Sequence, residues 1–154
     1  MKTFKEYVNE GFKQKVFTYT INGMEKNFSI GKNTRASALK EGEPYFYMTK
    51  NNRPYFMIFT GFSDAEQKYG ESGPVFKDLK SLMKKYGAKK VEELEDLDSS
   101  REDAEHGMHP YMCGIFYENE ESEGSQGCYV YLYNKKWSVG SGAEVIRFFE
   151  AEEV

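Results

Sequence analysis

The residue types best suited to metal or nucleophile chemistry fall close together in this sequence. Its only two histidines and only two cysteines, His106, His109, Cys113 and Cys128, lie within one stretch of 23 residues. Imidazole and thiolate are what zinc prefers, and both histidines with one cysteine from each of two strands could close a tetrahedron. The spacing is not that of a zinc finger, where closely spaced cysteine pairs form a knuckle. Cys128 is in phase with Val130 and Leu132 on the apolar side of its strand, where a free cysteine behaves as a small hydrophobe. The expectation is therefore two core cysteines beside two loop histidines, with no metal and no cofactor. A cysteine nucleophile would need an adjacent base such as His109 and a lowered thiol pKa. Cys113 sits between Met112 and Gly114, and nothing local supplies either.

Other groups that could react are more diffuse. Carboxylates cluster at Glu92, Glu93, Glu95 and Asp96, and again at Glu118, Glu120, Glu121 and Glu123. Hydrolytic chemistry needs carboxylates held at fixed separations, and the second group reads as a floppy, solvated loop. Gly70, Ser72 and Gly73 precede a helical pattern, so backbone N–H groups there could hold an anion, but the GK[ST] ending of a P-loop is missing. Tyr129, Tyr131 and Tyr133 alternate onto one strand face. Such a stripe can stack nucleobases, yet only Lys135 and Lys136 stand near it, so packing in a core or interface is the expectation.

The elements that must position these groups can be read from periodicity. Residues 3–13 carry Phe4, Tyr7, Val8 and Phe12 on one helical face, with Thr3 and Glu6 spaced as a capping box. Phe17, Tyr19 and Ile21, then Asn22-Gly23, then Phe28 and Ile30 predict a β-hairpin. A second hairpin is expected from Tyr45–Thr49 and Tyr55–Thr60 around Lys50–Pro54, its second strand apolar enough to be buried on both faces. Ser63–Tyr69 reads as a short helix, and Pro74 opens a longer one carrying Val75, Phe76, Leu79, Leu82, Met83 and Tyr86, stopped by Gly87. Val91, Leu94 and Leu97 suggest one more. Tyr111–Tyr117 and Cys128–Tyr133 form a third strand pair around the loop Glu118–Gly127. The last segment, Gly142–Glu153, places Val145, Ile146 and Phe149, with Phe148 beside them, at helical spacing. The sum is a single α+β domain, antiparallel hairpins forming a sheet covered by two or three helices.

Composition bounds the rest. The chain has 154 residues, 39% hydrophobic and 16% aromatic, enough large apolar groups for a folded core. No apolar run reaches the roughly 18 residues of a membrane span, so no membrane partner is expected, and the first residues lack the h-region of a secretory signal. Two cysteines do not make a disulfide framework, which points to a reducing compartment. Charge is uneven: residues 1–90 carry 17 bases and 9 acids, residues 91–125 one base and 12 acids, and residues 126–154 three bases and 4 acids, for a net −4.

The first residues, MKTFKEYVNE followed by Gly11, resemble the capsid-targeting peptide of the internal head proteins of T-even bacteriophages. The resemblance rests on Met1, Lys2, Thr3 and Phe4 at the start and on Val8-Asn9-Glu10 before Gly11, with Val8 where the family usually has Leu or Ile. It implies that residues 1–10 dock into the prohead scaffold and that the prohead protease cuts between Glu10 and Gly11. It implies further that the domain 11–154 is packaged in the virion interior and delivered with the DNA into the host cytoplasm. Such proteins are accessory factors acting by protein binding rather than as enzymes. A host defence or restriction nuclease is the partner class that the acids at 92–96 and 118–123 would fit, since clustered carboxylates can imitate phosphates. The alternative is a small phage or bacterial enzyme or nucleotide-binding domain, with its site near Gly70–Pro74 and His106–Cys113.

Overall fold

Phe17, Tyr19 and Ile21 alternate with polar residues, and in the computed structural model they form strand β1 (Val16–Ile21), returning as β2 (Met24–Thr34). The tight turn between them uses the positive φ of Asn22 (53°) and Gly23 (80°). The structure describes residues 15–63, 75–96, 110–140 and 142–154. The helix expected over 3–13, most of the one expected over 63–69, and the Gly70–Pro74 and His106–His109 segments lie outside these residues.

The second expected hairpin is present as β3 (Pro44–Thr49) and β4 (Pro54–Ser63), preceded by a 3-10 turn at Ala36–Ala38. Then come β5 (Val75–Phe76), the helix α1 (Leu79–Tyr86), a 3-10 turn at Val91–Asp96, β6 (Tyr111–Tyr117), β7 (Ser125–Tyr133), β8 (Lys136–Val139) and β9 (Val145–Glu153). The β7–β8 hairpin turns through Asn134 (φ 54°) and Lys135 (φ 67°). The strands form one antiparallel sheet in the order β1-β2-β9-β3-β4-β6-β7-β8, and β5 pairs with the end of β4.

This is not the expected α+β domain under two or three helices. It is a curled, almost all-β sheet, with a single eight-residue α-helix among the described residues. Two misreadings account for the difference. Gly142–Glu153 contains no helix: β9 runs through the middle of the sheet, between β2 and β3. Its register on β3 passes from Met48↔Arg147 to Thr49↔Val145, so Ile146 is an extra residue in a bulge. The bulge puts Val145 and Phe148 on one side three positions apart, which imitates helical spacing in a strand. Likewise the longer helix does not open at Pro74. Val75 and Phe76 pair with Ser63 and Phe62, and α1 begins only after Asp78. Gly87 does end it.

Asp78 caps α1 by accepting a 2.7 Å hydrogen bond at Oδ1 from the Ser81 N–H. That bond holds its carboxyl below the usual value of 3.8. Because the folded pKa is depressed, the stabilisation is complete above the usual carboxylate range and is lost as pH falls through the folded value. Asp78→Ala is expected to cost about 1 kcal/mol at neutral pH, and Asp78→Asn much less, since Asn keeps the acceptor. Urea unfolding at pH 7 and below pH 3 checks this. An equal loss for Ala at both pH values would be inconsistent with a charged cap.

The curl creates two cores, one on each face. On the concave face, Tyr19 of β1 stacks on Phe56 of β4 at 4.3 Å, although β2, β9 and β3 lie between those strands in the sheet. Phe17, Phe28, Phe46 and Tyr117 complete this aromatic cluster. The other face packs Met57, Phe59, Phe62, Met112, Val130 and Leu132 against Leu79 and Leu82 of α1 and against Leu94. Strand β4 is therefore buried on both sides, as its apolar run predicts, with Phe56 and Met57 both fully buried. Where β4 reaches β5 the backbone needs Gly61. Its φ is 131°, and a Cβ there would stand 2.5 Å from the Phe76 carbonyl oxygen.

Candidate functional site

Among the described residues, a cleft of about 700 Å³ opens between the ends of β3, β4, β6 and β7. Tyr47 of β3 and Tyr55 of β4 stack with centroids 5.3 Å apart and planes 20° from parallel. Phe116 of β6 meets the Tyr47 ring edge-on at 6.2 Å, and Tyr129 of β7 packs on Phe116 at 5.1 Å. Antiparallel pairing explains the grouping. Tyr47 lies opposite Tyr55, Met57 lies opposite Phe116, and a bulge in β6–β7 between Met112 and Gly114 turns Tyr129 towards Phe116. The Tyr129 ring lies over Gly127, where a Cβ would approach it to 2.6 Å, and its hydroxyl donates to the Gln126 carbonyl at 3.3 Å.

Polar groups rim these rings. Arg53 places its guanidinium 5.6 Å from the Tyr55 centroid. Glu118, Asn119, Ser122 and Glu123 come from the β6–β7 connection, and Ser125 is the first residue of β7. That connection is not the floppy loop expected from composition. Ser122 Oγ accepts from the N–H groups of Glu118 (3.0 Å) and Asn119 (3.1 Å), and Asn119 Oδ1 accepts from the Glu121 N–H at 2.8 Å. These side chain–backbone bonds satisfy the turn locally and fix where its carboxylates start. The connection is also shorter than expected, because β7 begins at Ser125 rather than Cys128. Tyr47 is 5% exposed, and burial, then the neighbouring Tyr55, raise its phenol pKa. It is neutral throughout the physiological range, and its hydroxyl makes no hydrogen bond among the described residues.

The acidic residues singled out from sequence divide into two places. Glu118 and Glu123 line the cleft, and Glu121 is exposed beside them. Glu120 turns to β1 instead, where it accepts from the Thr18 N–H at 3.3 Å, closes the curl and helps raise the buried Tyr19 phenol, whose main cause is burial. Glu92, Glu93, Glu95 and Asp96 belong to the 3-10 turn packed on α1. Glu93 Oε1 accepts from the Lys89 N–H at 2.9 Å. Glu10 and Gly11 lie outside the described residues.

Cys113 and Cys128 are buried, as expected of two core cysteines, but they are not free thiols. They form a disulfide across β6 and β7 at the bulge. Two register neighbours at a bulge bring their Cβ atoms within bonding reach, which strand periodicity alone does not reveal. Neither sulfur is then available as a thiolate ligand or nucleophile. His106 and His109 lie outside the described residues.

Of the tyrosine stripe, Tyr129 joins the cleft. Tyr131 contacts Tyr111 at 6.1 Å and Tyr133 at 6.5 Å, away from Phe116. A smaller concavity beside Tyr133 holds Glu144 between Lys50 (3.2 Å) and Lys136 (3.6 Å), so its charges are already paired. Sequence reasoning missed Arg53, Tyr47, Tyr55 and Phe116 as a site, because each looked like a turn or core residue of its own strand. No family model, curated protein or solved structure matches the chain.

Proposed function

We propose that this protein is a phage head-internal accessory protein that acts by binding a basic partner, with the β6–β7 connection as its contact surface. The observation that carries the binding reading is the ordered display of Glu118, Glu121 and Glu123 beside an aromatic cleft, with no ion pair to any of the three among the described residues. Carboxylates on a turn already ordered, without cations from the described residues, meet a basic surface with little further conformational cost. The N-terminal resemblance supports packaging, the prohead scaffold and protease as first partners, and a host defence or restriction nuclease as the final one.

Two measurements test this. Intact mass and N-terminal sequencing of the protein from purified particles are expected to show a chain beginning at Gly11. Absence from particles would defeat the packaging reading. Affinity capture from host extract is expected to retain a basic nuclease. The quadruple variant E118Q/E120Q/E121Q/E123Q is expected to weaken that capture by about tenfold or more, and E92Q/E93Q to leave it unchanged. Undiminished capture by the quadruple variant would exclude this surface.

A further inference from the structure

We infer that the cleft is a receptor for a guanidinium group, the side chain of an arginine presented by the partner protein. The inference rests on the reading that the β6–β7 connection meets a basic partner, and it names the chemical group that is recognised.

Three observations converge on that group. Tyr55 and Tyr129 keep exposed ring surface in the cleft, backed by the buried Tyr47 and Phe116, and a flat cation stacks on such faces. The chain already shows the fit, since Arg53 holds its own guanidinium over Tyr55 at the rim. Next, Glu118 and Glu123 line the same cleft without an internal ion pair among the described residues, and a carboxylate accepts two parallel N–H groups from a guanidinium. Finally, Tyr47 lines this cleft while only 5% exposed, and its hydroxyl has no hydrogen bond among the described residues. A buried hydroxyl without a partner is costly, and a donor entering the cleft would relieve it.

The competing ligand classes fit less well. An ammonium carries the charge but has no face to stack. A neutral saccharide can stack, yet gains little from the two carboxylates. An anion would meet two carboxylates against one arginine.

The test uses the full chain and a capped tripeptide, acetyl-Gly-Arg-Gly-amide, beside its citrulline and lysine counterparts and a neutral disaccharide. Binding is followed by NMR of the tyrosine and phenylalanine ring protons. The arginine peptide is expected to shift Tyr55, Phe116 and Tyr129. The citrulline peptide, equal in shape but uncharged, is expected to bind about tenfold more weakly, and the lysine peptide several-fold more weakly. Tyr129→Ala and Glu123→Gln are each expected to weaken the arginine peptide about five- to tenfold. Tyr47→Phe, which keeps the ring, is expected to weaken it about two- to threefold. Both Tyr129 and Glu123 are exposed, so these variants keep the fold. Equal binding of the citrulline peptide, tighter binding of the disaccharide, or no ring shift at millimolar peptide would overturn the inference. If the quadruple glutamine variant loses partner capture while Tyr129→Ala keeps it, the arginine receptor is excluded and the acidic-surface reading stands. If the arginine peptide binds the cleft but capture is indifferent to the glutamates, the receptor stands and the partner reading fails.

Discussion

Phe56→Ala is expected to lower the free energy of unfolding by about 3–5 kcal/mol, a large share of the stability of a domain this size. Phe56 is fully buried, and four other rings surround it: Tyr19 at 4.3 Å, Phe28 at 4.7 Å, Tyr117 at 5.3 Å and Phe46 at 5.4 Å. Those neighbours come from four strands whose positions the curl has fixed. They cannot all move inward, so most of the deleted ring remains as a cavity. The loss also touches the site, because Tyr117 connects this cluster to the turn that carries Glu118. Phe56→Leu, closer in volume, is expected to cost far less, and Met24→Ala, at an exposed position, under about 0.5 kcal/mol. Urea unfolding of the three variants measures this. A Phe56→Ala loss no larger than that of Met24→Ala would mean that the concave aromatic cluster does not hold the sheet closed.

Removing the Cys113–Cys128 bond is the second large effect. The bond joins residues 15 apart in sequence. The chain-entropy model gives about 3 kcal/mol for a loop of this length, acting mainly by restricting the unfolded chain. Cys113→Ala/Cys128→Ala is therefore expected to lower stability by about 2–3 kcal/mol. Adding a reductant is expected to destabilise the natural chain by a similar amount and to leave the double variant unaffected. Since the bond lies in the bulge that turns Tyr129 towards Phe116, the double variant is also expected to broaden the Tyr129 ring resonances. Two free thiols in the denatured, unreduced protein, or a reductant effect on the variant, would contradict this assignment.

Local pattern carried much of the fold. Both N-terminal hairpins stand where alternation and turn residues place them, with Asn22-Gly23 supplying positive φ and the Lys50–Pro54 segment closing β3 on β4. The strand pair around residues 118–124 was also legible. The final segment misled because a bulged residue shifts the phase of a strand by one. Val145 and Phe148 then repeat at a helical interval although each faces the sheet core. The fold class followed that error, since a helix laid on the sheet was counted in place of a strand inside it. The missed hairpin turn at Asn134-Lys135 was weaker in sequence, because lysine rarely takes a positive φ.

The candidate site was legible only in part. Glu118 and Glu123 stood out by charge, but charge density did not separate them from Glu120, which turns to β1, or from Glu92 and Glu93 on the 3-10 turn. The amino-acid sequence by itself determined the hairpins, the two-sided burial of β4, the apolar phase of Cys128, and the acidity of the β6–β7 connection. Each follows from neighbours within a few residues, where side-chain alternation and backbone preference act directly. Only the tertiary structure decided that β9 enters the sheet between β2 and β3, that Cys113 and Cys128 bond, and that Tyr47, Tyr55, Phe116 and Tyr129 share one cleft. Those outcomes depend on register and bulges between strands far apart in the chain. A shift of one residue there exchanges the faces of a sheet, and no local periodicity records it.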